Sequence, residues 1–244
     1  MSDLIQWPRA KYWDKPWNPI IGCKPCSPAC EHCYAVAWAK RFSRSFKPHR
    51  ALSQPKPPRS GIVFVGNMTD LFGEWADPLD YMRQTCVTKT TTYLYLTKRV
   101  WHMTNCMSFI DDDYSPVRWT NHYFGFTAEN QEWYDRRIDV WVRNGPYWAN
   151  GWLSCEPLLG PINLSLPSLW KIPKWIVVGC ESGPNRRPCK IEWVGSIVEQ
   201  CRTANVPVFV KQIDIDGKCE RDITKFPKHL QIRQVPWAKE GETK

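Results

Sequence analysis

The sequence predicts an α/β fold, namely a partial or closed parallel β/α barrel that forms a single domain over residues 1–244. Short apolar runs alternate with helix-like segments along the chain, which is typical of β/α units. The runs are almost continuously apolar, as expected of strands that are buried on both faces of a sheet. An open doubly wound sheet is the alternative arrangement for the same alternation.

The predicted strands are short and regularly spaced. The first lies near Asn18–Ile21, directly before the first cysteines. Six more follow, at Gly61–Val65, Thr91–Leu96, His122–Phe126, Gly151–Ser154, Trp175–Gly179 and Val206–Val210. Helices are predicted between them at Pro78–Thr88, Gln131–Asn144 and Ile191–Asn205.

Polar residues come directly after most of these strands. Asp70 follows the second strand, Glu156 follows the fifth and Glu181 follows the sixth. In a β/α barrel such positions share the carboxyl-terminal face, where active sites are built. Capping or a turn is the favoured explanation for any single position, but the repetition after six strands indicates a polar site.

The composition is that of an ordinary globular protein. Hydrophobic residues make up 43% of the chain and charged residues 23%, which excludes a wholly disordered protein. No run approaches the ~20 apolar residues that span a bilayer. Residues 1–9 do not have the pattern of a signal peptide. The sequence therefore predicts a cytoplasmic protein.

Positive charge is concentrated in the first quarter of the chain. The formal net charge is +9, and residues 1–60 hold eleven Lys and Arg against three Asp and Glu. The remaining residues hold 22 against 21 and are nearly neutral. A localised basic region favours an anionic partner, with nucleic acid as the leading candidate.

Four of the eleven cysteines lie within eleven residues, at Cys23, Cys26, Cys30 and Cys33. An odd number of cysteines in a cytoplasmic chain does not form a complete disulfide framework. Thiolates suit zinc or iron–sulfur clusters, and structural zinc typically takes two separated ligand pairs. Three closely spaced cysteines instead suit a 4Fe–4S cluster with one open iron. We therefore favour a cluster over zinc, and buried core thiols rank third.

The spacing Cys26-x3-Cys30-x2-Cys33 resembles the signature of radical S-adenosylmethionine (radical SAM) enzymes. More closely, the chain is similar to a phage-encoded, three-cysteine family of the radical SAM type. The similar segments are Trp17–Cys23, Ser27–Ala35, Asn67–Phe72, Leu96–Arg99, Ser154–Pro161 and Gly179–Gly183. That family's usual spacing, C-x6-C-x2-C, selects Cys23 instead of Cys26. Cys30 and Cys33 are ligands under both patterns, and the first ligand is either Cys23 or Cys26.

The resemblance implies a 4Fe–4S cluster, S-adenosylmethionine at its open iron, and an electron donor. This cofactor would supply a 5′-deoxyadenosyl radical that abstracts hydrogen from the substrate, while the protein binds and orients both. The candidates for contacts to S-adenosylmethionine are Asn67, Asp70, Thr127, Glu129, Glu156, Glu181 and Ser182. Turn capping, or pairing with Arg186 or Arg187, is the alternative for Glu156 and Glu181. No catalytic residue is assigned.

The basic segment Lys40–Arg50 interleaves cations with aromatic rings. Cations neutralise phosphates and aromatic rings stack on exposed bases, a combination suited to distorted or single-stranded nucleic acid. Lys40, Arg41, Arg44 and Lys47 are the candidate phosphate contacts. A solvated helix end and loop is the equally weighted alternative.

The resemblance further implies a role in thymidine hypermodification, which protects viral DNA from host restriction. The implied reaction is an isomerisation on the 5-methyl group of thymidine, from an N-linked to a C-linked glycyl adduct. The partners would be the phage genome and other phage DNA-modification enzymes, in the host cytoplasm. Two alternatives stay open: a radical SAM enzyme acting on a nucleotide, peptide or small molecule, and a non-catalytic zinc–cysteine module that binds nucleic acid.

Overall fold

The computed structural model describes residues 6–86, 90–110, 119–164, 173–183 and 185–237. The strands are β1 (Lys15–Trp17), β2 (Ile20–Ile21), β3 (His49–Arg50), β4 (Ile62–Val65), β5 (Thr92–Thr97), β6 (His122–Thr127), β7 (Asn150–Cys155), β8 (Ile176–Gly179), β9 (Val208–Ile215) and β10 (Lys218–Glu220). The helices are α1 (Tyr34–Arg41), α2 (Pro78–Thr85), α3 (Val100–Ser108), α4 (Gln131–Asn144) and α5 (Ile191–Thr203).

The structure confirms the predicted α/β class with a mostly parallel sheet. Eight strands run in the order β1-β4-β5-β6-β7-β8-β9-β10, which is also their order along the chain. β1–β4, β4–β5, β5–β6, β7–β8 and β8–β9 are parallel pairs, and β10 is antiparallel to β9. This order follows from successive β/α units, because each crossover returns the chain beside the preceding strand.

The first strand of the sheet lies earlier than predicted. β1 ends at Trp17, while Ile20–Ile21, part of the predicted strand, forms a separate antiparallel pair with β3. The chain leaves the sheet at Asn18, whose side chain donates to Asn67 Oδ1 at 2.8 Å and accepts from the Met68 N–H at 3.2 Å. Pro19 lacks an N–H for the ladder, and the strand therefore does not continue through it.

The predicted helices are found, and α4 has the predicted bounds. α2 ends at Thr85, and residues 87–88 of its predicted extent lie outside the described residues. α5 ends at Thr203, two residues before its predicted end, and buries Val194, Ile197 and Cys201 along one face. Within the described part of the chain, no helix has the length and apolar character needed to cross a membrane.

Two compact units divide the chain. The first unit comprises residues 13–126 and 137–150, and the second comprises residues 1–12, 127–136 and 151–244. This division does not test the prediction of one domain over residues 1–244, which stays a prediction.

Each unit has an aromatic core. In the first, the rings of Tyr95 and Phe124 stack at 5.0 Å between centroids. In the second, the Trp175 ring lies 5.1 Å from both Tyr12 and Trp152. Such ring pairs add about 0.5–1.5 kcal/mol beyond the burial of their area, so Trp152 and Trp175 have a structural role.

Candidate functional site

The four clustered cysteines of the first unit lie in the loop that joins β2 to α1, here called the cysteine loop (residues 22–33). The loop begins at Gly22, which has a φ of +92°. A Cβ atom at this position would lie 2.5 Å from the Lys47 carbonyl oxygen, so only glycine fits. Cys30 ends a single 3-10 turn, and Cys33 is the residue directly before α1. The loop therefore places all four thiols between β2 and the first turn of α1.

Cys30 is held in an environment that favours its thiolate. The Cys26 N–H donates to the Cys30 sulfur at 3.5 Å, and the Ser27 hydroxyl lies 3.9 Å from it. A hydrogen bond from the Cys26 thiol, together with the nearby Lys98 ammonium, lowers the pKa of Cys30 to about 4. The same hydrogen bond, assisted by burial, raises the pKa of Cys26, which keeps the shared proton. The thiolate is the form of cysteine that binds metals.

The donor set fits a thiolate-bound cluster in its chemistry. All four thiols are half-buried, and Cys30 is close enough to Cys23 and Cys26 to raise the pKa of both. Within the described ranges, no three His, Cys, Asp or Glu side chains already form a group that could hold a metal ion. Metal binding would therefore be coupled to ordering of the loop, as is common for metal sites of this kind.

A buried ion pair connects the cysteine loop to the strand ends. Asp70, after β4, accepts hydrogen bonds from Thr97 Oγ1 at 2.7 Å and from the Lys98 N–H at 3.1 Å. Its carboxylate also accepts from Arg99 Nη1 at 3.0 Å. The other guanidinium nitrogen of Arg99 donates to the Lys24 carbonyl at 2.8 Å, within the loop. Asp70 thus fixes Arg99, and Arg99 fixes the loop.

Arg99 is a residue whose role sequence reasoning missed. Its guanidinium also lies 4.7 Å from the centre of the Trp75 ring, a cation–π contact that holds it in place. The available signal was its position directly after β5, in the segment Leu96–Arg99. The predicted contact of Asp70 with S-adenosylmethionine stays a prediction, because the hydrogen bonds described here are to protein groups.

Asn67 lies in the same turn after β4. Its side-chain oxygen accepts from Asn18, and its carbonyl accepts from the hydroxyl of Tyr34, the first residue of α1. The structure therefore brings Asn67 and Asp70 together with the cysteine loop at the strand ends of the first unit.

The other candidate contact residues belong to the second unit. Thr127 and Glu129, at the end of β6 and just beyond it, are both buried. Glu156 follows β7 and pairs with Lys211, with 2.9 Å between Nζ and Oε1. Ser182 is half-buried. Contact with S-adenosylmethionine stays a prediction for all of them.

The two glutamates of the second unit, Glu156 and Glu181, pair with different cations. Glu181 accepts hydrogen bonds from the Arg187 N–H at 2.8 Å and from Arg187 Nε at 3.2 Å, so it has the predicted arginine partner. Glu156 instead pairs with Lys211, and Arg186 pairs with Asp214 at 3.3 Å. Both carboxylates therefore lie beside cationic side chains.

The basic segment is in part a helix. Lys40 and Arg41 lie in the last turn of α1, Arg44 and Lys47 lie in the loop that follows, and all four are exposed. This is the helix end and loop named as the alternative for the segment, and the helix carries an aromatic stripe. The signal for it was the four-residue spacing of Tyr34, Trp38 and Phe42, which places their side chains on one face.

The aromatic stripe is exposed and flanked by arginines. Trp38 and Phe42 are 41% and 52% exposed, with their ring centroids 4.9 Å apart. The Arg44 guanidinium lies 5.4 Å from the Trp38 ring and that of Arg41 lies 5.9 Å from the Phe42 ring. Large exposed apolar side chains next to one another mark interaction surfaces.

Comparison with known proteins identifies one family. The family model described as "Protein of unknown function (DUF5131)" matches residues 8–235, which is nearly the whole chain. No curated protein matches the sequence significantly. Among solved structures, a mutant of spore photoproduct lyase is similar, with a TM-score of 0.40 and 10% sequence identity. The similar part covers 66% of this chain and 54% of the lyase chain. We transfer no activity from the lyase at this level of similarity.

Proposed function

The chain belongs to the DUF5131 family, and we propose that it is an iron–sulfur enzyme of the radical SAM type. One observation carries the proposal: four thiols lie in eleven residues of one loop, and Arg99 anchors that loop to the strand ends. The resemblance of the spacing to the radical SAM signature agrees with this placement.

The residues of the loop and its surroundings have distinct proposed roles. Three of the four loop cysteines hold the cluster, with Cys30 and Cys33 included under both spacings. Together with S-adenosylmethionine, the bound cluster supplies the radical chemistry. Lys98 and Arg99 offset the negative charge of the thiolates, and Asp70 orients Arg99. Asn67, at the strand ends of the first unit, is proposed to contact S-adenosylmethionine beside the cluster.

Anaerobic reconstitution tests the proposal. The expected result is about four iron and four sulfide per chain with a visible charge-transfer band, as cysteine-bound 4Fe–4S clusters require. Cys106→Ala, which changes a half-buried cysteine of α3 outside the loop, is the matched control and should keep full iron content. A chain that binds one zinc and no sulfide would instead be the zinc–cysteine module.

We propose nucleic acid as the substrate class on the strength of the aromatic stripe of α1. Exposed Trp38 and Phe42 provide faces on which unpaired bases can stack, a contact worth about 1–3 kcal/mol per base. Lys40, Arg41, Arg44 and Lys47 would neutralise phosphates beside them. A base in duplex DNA would have to be extruded before it could react.

The finer proposal is phage DNA with a glycyl adduct on thymidine, and it rests on the family resemblance. A glycyl C–H is a weak acid, whereas the radical left by hydrogen abstraction is stabilised by both neighbouring groups. Radical chemistry therefore suits the rearrangement from an N-linked to a C-linked adduct. Mass analysis of nucleosides from phage DNA made with and without an intact gene tests it, and identical nucleoside profiles would contradict it.

A further inference from the structure

A second group of cysteines lies in the second unit, around β9. Cys180 follows β8, and its N–H donates to the Gln212 carbonyl of β9 at 3.1 Å. The Gln212 side chain donates back to the Cys180 carbonyl at 2.7 Å. Cys219 is on β10, in register with Asp214 of β9. The thiols of Cys180 and Cys219 are close enough that each has the largest effect on the pKa of the other.

The two thiols differ in access to solvent and in acidity. Cys180 is buried, whereas Cys219 is half-buried. The hydrogen bond from Cys180 lowers the pKa of Cys219 to about 7, with help from nearby Arg221, Arg186 and Lys211 and against the opposing effect of burial. The pKa of Cys180 is raised correspondingly, because it keeps the shared proton. An accessible sulfur that carries charge near neutral pH next to a buried, protonated one is the arrangement of an attacking and a resolving cysteine.

The charges around the pair are fixed by the fold. Arg186 pairs with Asp214, and Asp214 also accepts from the Cys189 N–H at 3.4 Å. Arg221 donates to the Gln212 side chain at 3.1 Å, which in turn holds the Cys180 carbonyl. Cys189 is the third thiol nearby, and burial followed by Asp214 raises its pKa to about 12. Cys189 therefore stays protonated and does not compete with Cys219 as a nucleophile.

Cys180 and Cys219 are neighbouring thiols, the first buried and the second half-buried. Such a pair can form a reversible disulfide.

We propose that Cys219 and Cys180 form a redox-active dithiol whose substrate is a low-molecular-weight disulfide. The Cys219 sulfur attacks one sulfur of the disulfide RSSR, forming a mixed disulfide and releasing RS⁻. Cys180 then loses its proton and attacks the Cys219 sulfur, forming the Cys180–Cys219 bond and releasing the second thiol. The protein loses two electrons and two protons, and RSSR becomes two RSH. The inference is independent of the iron–sulfur proposal, because neither cysteine belongs to the cysteine loop.

Peptide mapping of the full-length protein after treatment with glutathione disulfide tests the proposal. The expected product is a peptide pair joined through Cys180 and Cys219, which dithiothreitol separates again. Cys180→Ser should trap one glutathione on Cys219, whereas Cys219→Ser should leave Cys180 unmodified. Cys201→Ser, which changes a buried cysteine of α5, is the matched control and should give the same bond as the natural protein.

The measurement on the natural protein stands even if a variant fails to fold. A Cys180–Cys189 bond, glutathione on Cys180 in preference to Cys219, or both thiols free after prolonged treatment would each overturn the proposal. Oxidation of loop cysteines does not interfere, because each bond is assigned by its peptides.

Discussion

The two thiol groups of this protein, one in each unit, have the same local arrangement but different proposed chemistry. In the cysteine loop Cys26 donates to Cys30, and in the second unit Cys180 donates to Cys219. Both acceptors lie near cations, and both have a lowered pKa. The difference lies in what holds the sulfur atoms. The loop offers four thiols in an irregular segment, whereas the second group offers two thiols that adjoin the same strand.

This difference determines the chemistry that each group can support. An irregular loop with spare sulfur ligands can adjust to a metal cluster, and folding of the loop is then coupled to binding. Cys180 and Cys219 are held by backbone hydrogen bonds and register to β9, which leaves their sulfur atoms less freedom to rearrange around a metal cluster. A lowered pKa by itself therefore does not distinguish a metal ligand from a redox thiol.

The largest expected effect is loss of the cluster on removal of a loop cysteine. Cys30→Ala or Cys33→Ala should reduce reconstituted iron from about four per chain to background, because neither spacing has a substitute for them. Cys23→Ala and Cys26→Ala should have unequal effects, since only one of the two is a ligand. Iron and sulfide content measures both, with Cys219→Ala as the control that keeps its iron. Full iron content in all four loop variants would contradict the proposal that the cysteine loop binds the cluster.

Most of the sheet could be predicted from the sequence, because most of its strands contain a nearly continuous apolar run. β4 and β8 are buried at every position, and their apolar runs alone are enough to predict them as strands. β1 could not be placed, since its Lys-Pro-Trp sequence has no periodicity and only pairing with β4 makes it a strand. β10 is equally short and depends on β9.

The sequence predicts where the candidate site residues lie, but not which side chains they contact. Asp70 and Glu156 follow from the strand ends, whereas their partners Arg99 and Lys211 depend on side-chain contacts between different strands. The hydrogen bond of Cys180 with Cys219 follows only from the order β8-β9-β10. Local patterns identify where strands end, and only the fold determines which side chains meet there.

The second prediction concerns the Asp70–Arg99 ion pair that anchors the cysteine loop. Asp70→Ala removes the acceptor of four hydrogen bonds and leaves Arg99, only 15% exposed, without its carboxylate partner. Removal of one partner of a buried ion pair should cost about 3–5 kcal/mol of unfolding free energy. Denaturant unfolding measures it.

The control for that anchor is Glu132→Ala, which breaks the exposed pair with Arg136 and should cost under about 1 kcal/mol. The Asp70 variant should also lose iron on reconstitution while the Cys180–Cys219 disulfide still forms in the folded fraction. Equal stability of the two variants would show that the loop is not anchored through Asp70.

The third prediction compares the surface charges of the two units. Replacing Lys40, Arg41, Arg44 and Lys47 with Gln should lower the log–log salt slope of DNA binding by roughly 3–4 units, at about 0.9 per phosphate contact. The matched variant replaces Arg136, Arg202, Lys225 and Lys228, which are exposed cations of the second unit, and removes the same charge. Fluorescence anisotropy over a salt series measures both. Equal changes would indicate that net charge, not the α1 surface, governs binding.

The smallest expected effect is a pH profile that separates the two thiol groups in the cluster-loaded protein. The pKa of Cys219 is lowered to about 7 from an ordinary value of 9.0, so its thiolate is present above the lowered pKa and lost below it. Its alkylation by iodoacetamide should therefore rise about tenfold from about pH 6 to about pH 8 and then level off, since only the thiolate reacts. A thiol of ordinary pKa would rise about a hundredfold over that interval without levelling. Cluster ligands should stay protected throughout, because their sulfur atoms are bound to iron. Peptide-resolved mass spectrometry gives each rate, and a Cys219 rate that keeps rising to about pH 9 would show that Cys180 and the neighbouring arginines do not acidify it.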